Sequence, residues 1–325
     1  MSNEKEGMHR SLDDLWLIGL NSSRSAKSTR DPLSNVLSAL GARSVRGTRL
    51  EASGDWALSF QGRGRLKFVA IVRGRCWLLL PDTVPEALKE GDVFLLSNTP
   101  YTVASDPAME PVDGMPLYEL PGQDIVRLGD GEETVMVGGG SAFADGEAAF
   151  VLEALPAFLR IDRASPGAGA VARTLALLEA EVGDERLGAS LVTERLAEIL
   201  LVEAIRAYVG TGTVDRVGWI SALSDRRIGA ALRLMHGEVA RPWTASTLAA
   251  EVGMSRSAFT QRFSTRVGRP PLDYLIHWRM VLARGKLSEG CASVASVAAE
   301  VGYNSQSAFA HAFKRTFGYT PRAAG

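Results

Sequence analysis

Two glutamines, Gln261 and Gln306, each stand beside a pair of phenylalanines spaced four apart, Phe259/Phe263 and Phe309/Phe313. That spacing puts both rings of a pair on one face of a helix, so the residues off the stripe face outward. In the first segment these are Arg256, Ser257, Thr260, Gln261 and Ser264; in the second, Ser305, Gln306, Ser307, Ala310, His311 and Lys314. Their chemistry is hydrogen bonding of polar edges rather than bond making. Gln bonds adenine in a bidentate way, Ser and Thr bond several base edges, and the methyls of Ala or Thr meet the thymine methyl. The expected base-reading set is Arg256, Ser257, Thr260, Gln261, Ser305, Gln306, Ser307 and His311. Arg262, Arg266, Arg279, Lys314 and Arg315 lie nearby and suit phosphate oxygens, contacts that position rather than specify.

The elements that must hold these side chains are visible as an internal repeat. Ala249-Ala250-Glu251-Val252-Gly253 returns as Ala298-Ala299-Glu300-Val301-Gly302. Ser257-Ala258-Phe259 returns as Ser307-Ala308-Phe309, and Gly268 and Pro271 return as Gly318 and Pro321. Each copy reads as helix, tight turn, helix. Thr244 and Ser293 are placed to cap the first helices, and Ser255 and Ser305 the second. Gly253 and Gly302 supply the left-handed residue that ends a helix without a Cβ penalty. This is helix-turn-helix geometry, with units at about 244–265 and 292–315. Between them, Pro271 to Lys286 is expected to form a helix with Leu272, Leu275, Ile276, Met280 and Leu282 as its apolar stripe. Such a strut would hold the two second helices about one DNA turn apart.

Charge agrees with that reading. The chain has 325 residues and a net charge of −1, but residues 225–325 carry 14 Lys/Arg against 6 Asp/Glu, while residues 1–224 carry 22 against 31. An acidic body with one basic end is expected when a single domain meets a polyanion. The two cysteines, Cys76 and Cys291, give neither a disulfide framework nor a zinc spacing, which suits a reducing cytoplasm. Cys76 reads as a buried structural thiol. Leu12 to Leu20 is too short and too acidic for a signal peptide, and no membrane partner is expected.

The fold class follows as multidomain β plus α. Residues 1–30 read as a flexible extension. Residues 31–150 show short apolar runs (Trp56–Phe60, Leu66–Val72, Cys76–Leu80, Val93–Leu96) between Gly and Pro turns, the pattern of a barrel or sandwich. Gly138-Gly139-Gly140 reads as a tight strand turn. Residues 151–210 turn helical: Val171, Leu175, Leu178 and Val182 form one stripe, and a helix capped by Ser190 carries Leu191, Leu196, Ile199, Leu200 and Ile205 around most of its circumference. Such a helix is expected either to dimerise or to dock on the barrel. Gly210-Thr-Gly-Thr opens an expected linker, residues 211–224, ahead of the DNA-binding domain at 225–325.

With these residues in view, the last hundred positions resemble the AraC/XylS family of transcriptional regulators. The match includes Trp243-Thr244, Gly253-Met254-Ser255, Trp278-Arg279-Met280, Val301-Gly302-Tyr303 and Phe317-Gly318-Tyr319-Thr320-Pro321. The N-terminal half resembles the family's cupin-type effector domain at Asp31-Pro32-Leu33, Val72-Arg73-Gly74-Arg75-Cys76-Trp77 and Glu90-Gly91-Asp92-Val93. The resemblance implies double-stranded DNA and RNA polymerase as partners, a homodimer, activation as the usual mode, and a small organic effector. Candidates to line the effector pocket are Trp56, Phe60, Phe68, Trp77, Phe94 and Tyr101. No cofactor or metal is expected, because none of the four histidines (His9, His236, His277, His311) falls between residues 31 and 224, and a histidine–carboxylate site cannot be built there. The alternatives are a regulator whose barrel docks a partner protein, and a cupin enzyme fused to a DNA-binding module.

Overall fold

The computed structural model describes residues 31–39, 45–62, 64–118, 125–142, 149–161, 167–181, 187–210, 217–290 and 292–324. The expected extension at 1–30, Val182 and Cys291 lie outside the described residues. In chain order the elements are α1 (Pro32–Ala39), β1 (Val45–Ala52), β2 (Ala57–Phe60), β3 (Arg65–Arg73), β4 (Arg75–Leu79), β5 (Glu86–Lys89), β6 (Val93–Ser97), β7 (Tyr101–Ala104), β8 (Val112–Asp113), β9 (Ile125–Leu128) and β10 (Thr134–Ala142). They continue with α2 (Ala149–Leu152), β11 (Phe158–Ile161), α3 (Ala168–Glu181), α4 (Ala189–Gly210), α5 (Trp219–Ala222), α6 (Arg226–Gly237), α7 (Ala245–Glu251), α8 (Arg256–Val267), α9 (Pro271–Ser288), α10 (Val294–Glu300) and α11 (Gln306–Phe317).

The strands form two sheets, one in the order β11-β6-β3-β10-β1-β9 and the other β5-β4-β7-β2-β8. Period-2 alternation splits the first sheet between two cores. On β3, Val69 and Ile71 join the core between the sheets with Leu58, Leu78, Phe94 and Val103. Leu66, Phe68 and Ala70 point the opposite way, into a core shared with the helices. Both faces are apolar, which is why β3 reads as a continuous run. The run Gly138-Gly139-Gly140 is no turn: it lies inside β10, paired with β1 on one side and β3 on the other. Cβ atoms built on Gly138 and Gly140 would sit 3.1 and 3.0 Å from the carbonyls of Phe68 and Leu66, so the glycines permit a close strand approach.

The second core joins the two halves of the molecule. It runs from Leu33 and Val36 of α1 and the outer face of β3, through Leu175 and Leu178 of α3 and Leu200 and Ile205 of α4, to Ile228, Phe259 and Trp278. The stretch from Asp31 is therefore not all β, because α1 packs on α6 and α9. The stretch expected to be linker carries α5, whose Trp219 and Ile220 are buried; residues 211–216 lie outside the described residues. Helix α4 begins at Ala189, so Ser190 sits within it rather than ahead of it. On α4, Leu191 and Ile199 stay exposed at 57% and 47%, while Leu200 and Ile205 are buried.

Phe150 is the centre of this junction. Its ring lies 5.4–5.9 Å from Trp219, Tyr274 and Trp278 and 5.2 Å from His277. Its carbonyl accepts the Trp219 indole N–H at 2.8 Å. Beside it, Arg269 donates to Glu153 at 3.1 Å and meets His277 Nδ1 at 2.8 Å. Burial, with Arg269 second, lowers the His277 pKa to about 4, and burial lowers that of His236, which shares a hydrogen bond of 2.7 Å with the Tyr274 hydroxyl, to about 3. Both imidazoles are neutral at physiological pH.

Candidate functional site

Each copy of the repeat folds by the same local devices. Thr244 and Thr247 cap α7 reciprocally: the Thr244 hydroxyl accepts the Thr247 N–H at 3.0 Å, and the Thr247 hydroxyl accepts the Thr244 N–H at 2.9 Å. Ser293 accepts from Ser296 at the start of α10. Ser255 and Ser305 each accept the N–H three residues on, at 3.3 Å. Gly302 has φ +84, and a Cβ there would lie 2.6 Å from the Ala240 carbonyl. The turn of the second unit thus abuts the α6–α7 connection of the first.

Phe259 and Phe263 are fully buried, with ring centroids 5.6 Å apart, and Phe309 and Phe313 match them at 5.8 Å. The polar ridges are left on the outside. Arg256, Ser257 and Gln261 of α8 are exposed and Thr260 is half-buried; Ser305, Gln306, Ser307 and His311 are exposed around α11. Ser305 spends a lone pair on its capping bond, so its O–H is what remains for a partner.

Helix α9 differs from the single stripe expected of it. Tyr274, Leu275, Trp278 and Val281 enter the core of the first unit, whereas Met280, Ala283 and Leu287 enter that of the second. Leu272 is 39% exposed, and Ile276 and Leu282 are half-buried. A helix embedded in two cores cannot show one stripe. Its 18 residues span roughly 27 Å at 1.5 Å per residue.

The five expected phosphate contacts fall into three groups. Lys314 and Arg315 are exposed and have no ion-pair partner among the described residues. Arg262 is tied to Asp225 at 2.7 Å, with Arg266 at 3.8 Å from the same oxygen. Burial opposes ionisation of Asp225, but the N–H groups of Ile228 and Arg227 and the Arg262 guanidinium outweigh it and hold the carboxyl below its ordinary pKa. Arg279 differs from the others: its guanidinium donates to the carbonyls of Val239 at 2.9 Å and Arg241 at 2.8 Å. It rivets α9 to the connection on which the second unit's turn rests.

That difference has a measurable consequence. Arg279→Met keeps the aliphatic stem and removes two charge-assisted bonds, so it should cost about 1.5–3 kcal/mol of stability in urea unfolding. The salt slope of its binding to random DNA should match the parent's. Arg315→Met should do the reverse, changing stability by less than about 0.5 kcal/mol and reducing the slope by about 1. A flattened slope for Arg279→Met without loss of stability would return that residue to the phosphate set.

In the sheet domain, the six aromatic candidates do not converge. Phe60 and Tyr101 stack at 5.0 Å and line a cavity of about 30 Å³. Trp56 and Phe94 are packed in the intersheet core, Phe94 against Phe158 at 6.1 Å. Phe68 faces the helices, on the far side of its sheet, and Trp77 is half-buried on β4. Cys76 is 2% exposed, and burial pushes its thiol up to about 12, so it is inert packing.

The cavity has one wall residue that the candidate set omitted, Lys67. Its ammonium stands 4.9 Å from the Phe60 ring centroid, 5.8 Å from Tyr101 and 5.9 Å from Tyr118. The signal lay in strand parity: Lys67 shares its face with Val69 and Ile71. Among the residues lining this cavity there is no His, Cys, Asp or Glu, a donor set that does not fit a divalent transition metal.

Comparison with known proteins completes the picture. Residues 31–210 match the Cupin family and residues 248–324 the Helix-turn-helix domain family. An AraC-like transcription regulator of Streptomyces lividans is 37% identical over 294 residues, covering 90% of this chain and 96% of that protein. A second, from Streptomyces antibioticus, is 36% identical over 90% of this chain and 97% of its own length. The crystal structure of ToxT from Vibrio cholerae O395 aligns with 86% of this chain and 95% of that one at 12% identity, with a TM-score of 0.32. From its Cupin domain to its paired helix-turn-helix units, the chain belongs to the AraC-like transcription regulators.

Proposed function

We propose that α8 and α11 enter successive major-groove segments on one face of a duplex, and that a small effector held in the sheet domain controls their presentation. The observation that carries this reading is the pair of exposed polar ridges, each backed by buried phenylalanines and joined by a helix embedded in both cores. Arg256, Ser257, Thr260 and Gln261, with Gln306, Ser307, His311 and the Ser305 hydroxyl, face base edges. Lys314 and Arg315 bind phosphates, and Arg262 does so by sharing itself with Asp225. Shape readout supplements the small side chains of the first ridge.

The effector acts through the Phe150 junction, because a ligand shifts an equilibrium only by its differential affinity for two arrangements. Leu191 and Ile199 on α4, with Leu177 on α3 at 60% exposure, form the face through which two chains pair. The regulator works in the cytoplasm, recruits RNA polymerase and activates transcription; it is not an enzyme. Domain limits of 31–150, 151–210 and 225–325 suit this division of labour.

Selection of genomic fragments by the purified full-length chain tests the reading. The expected result at about 0.15 M salt is enrichment of one motif containing two elements centred about 10 base pairs apart. Recovery of fragments without a shared motif would sink it.

A further inference from the structure

We propose that the cavity around Lys67 binds a short-chain monocarboxylate, its anionic group paired with the Lys67 ammonium beneath a wall of three aromatic rings. This rests on reading the sheet domain as the effector domain, and it names the ligand's chemical class.

The geometry begins with β3. Alternation turns Lys67 to the intersheet face, where its register neighbours are Gly140 on β10 and Leu96 on β6. Gly138 then leaves the space open: a Cβ there would come within 3.5 Å of both Lys67 Cε and the Thr48 hydroxyl. Phe60, stacked on Tyr101, and Tyr118, 6.3 Å from Phe60, close the other side. Gly114 allows Phe60 this seat, since a Cβ at 114 would fall 2.4 Å from the ring.

What the cage lacks is an anion. Lys67 has no hydrogen bond and no ion pair among the described residues. A second cation, Arg65, stands close enough to influence it and likewise has no acidic partner among them; its guanidinium donates to Met115 Sδ at 3.8 Å. Lys67 is half-buried, and even partial desolvation of an ammonium without a counterion is costly, a cost that ring faces offset only in part. Desolvation, followed by Arg65, accordingly lowers the Lys67 pKa to about 8. A single carboxylate would supply the missing charge. The remaining walls, Leu50, Val69, Val103 and Met136, are apolar and suit a short alkyl tail. The space of about 30 Å³ corresponds to roughly two waters, so acetate or propionate fits. Arg65 is exposed and solvated and is not part of the wall, so Lys67 alone faces the cavity and a dianion would be left half neutralised.

The test uses the full-length chain, with thermal melting and titration calorimetry at matched ionic strength. Sodium acetate and propionate should raise the melting temperature by a few degrees, whereas acetamide, propionamide, benzoate and phosphate should not. At pH 8, binding should take up a fraction of a proton, seen as a heat that varies with the buffer's ionisation enthalpy, and affinity should fall at higher pH as the amine loses its proton. Lys67→Met should weaken propionate at least tenfold, Arg65→Gln less, and Gly138→Val should block the cavity with the lysine intact. Equal stabilisation by the amides, tighter binding of phosphate than of either carboxylate, or unchanged affinity in Gly138→Val would overturn the proposal. Should Lys67→Met fail to fold, the proton uptake of the parent and the Gly138→Val result decide. Motif enrichment with no carboxylate response would remove this site alone and leave the DNA-binding reading standing.

Discussion

The double substitution Gln261→Ala with Gln306→Ala should lower affinity for the enriched motif by roughly 30-fold to 10⁴-fold at fixed salt. A bidentate amide–base contact discriminates by about 1–3 kcal/mol. The two glutamines sit on different helices embedded in different cores, so their losses should add, to roughly 2–6 kcal/mol. Random DNA of equal length should bind the variant as it binds the parent, because neither amide contributes charge. The fully buried phenylalanines beneath each ridge keep both helices folded when the amides are removed, so the loss reads recognition rather than structure. Equal losses on motif and random DNA would demote both residues to backbone contacts. A loss confined to Gln306→Ala would assign readout to the second unit and leave α8 to shape and phosphates.

Phe150→Ala carries the second large effect. The ring is 3% exposed and touches Trp219, Tyr274, His277 and Trp278, residues that cannot collapse onto a methyl because each is held by other contacts. The Trp219 indole is fixed by its bond to the residue-150 carbonyl, and Tyr274 by His236. A Phe→Ala change at such a site costs roughly 3–5 kcal/mol, transfer and cavity together. The expected readouts are a lower urea midpoint and a red shift of tryptophan emission as Trp219 and Trp278 meet water. A penalty below about 1 kcal/mol would mean that the two halves are not coupled through this ring. Under the proposed function, the variant should also bind operator with little dependence on the effector, since the junction through which the ligand acts has been loosened.

Much of this molecule is legible locally. The duplicated helix pairs, their Ser and Thr caps, the left-handed glycines and the outward polar ridges are written within short stretches, because helix periodicity and capping depend on neighbours three or four residues away. The short strands between Gly turns around residues 56–96 are readable for the same reason. Strand β1 escaped notice because Arg46, Arg49 and Glu51 interrupt its apolar pattern, and α1 because its eight residues are few beside the β pattern that follows, although Asp31 caps it by accepting the Ser34 N–H at 3.1 Å.

Residue order by itself settled the local elements of the repeat: which of its segments are helices, where the two ridges lie, and that the basic charge gathers at one end. Tertiary structure alone decided which face of β3 looks inward, since both faces are apolar and only the partner layers distinguish them. That choice sends Phe68 to the helices and Lys67 to the cavity. It also decided that Arg279 donates to two carbonyls 40 and 38 residues away, and that the stretch read as linker holds a buried tryptophan. Alternation and capping act over a few residues, whereas the partner of a side chain depends on segments a hundred residues away, whose positions only the assembled cores determine.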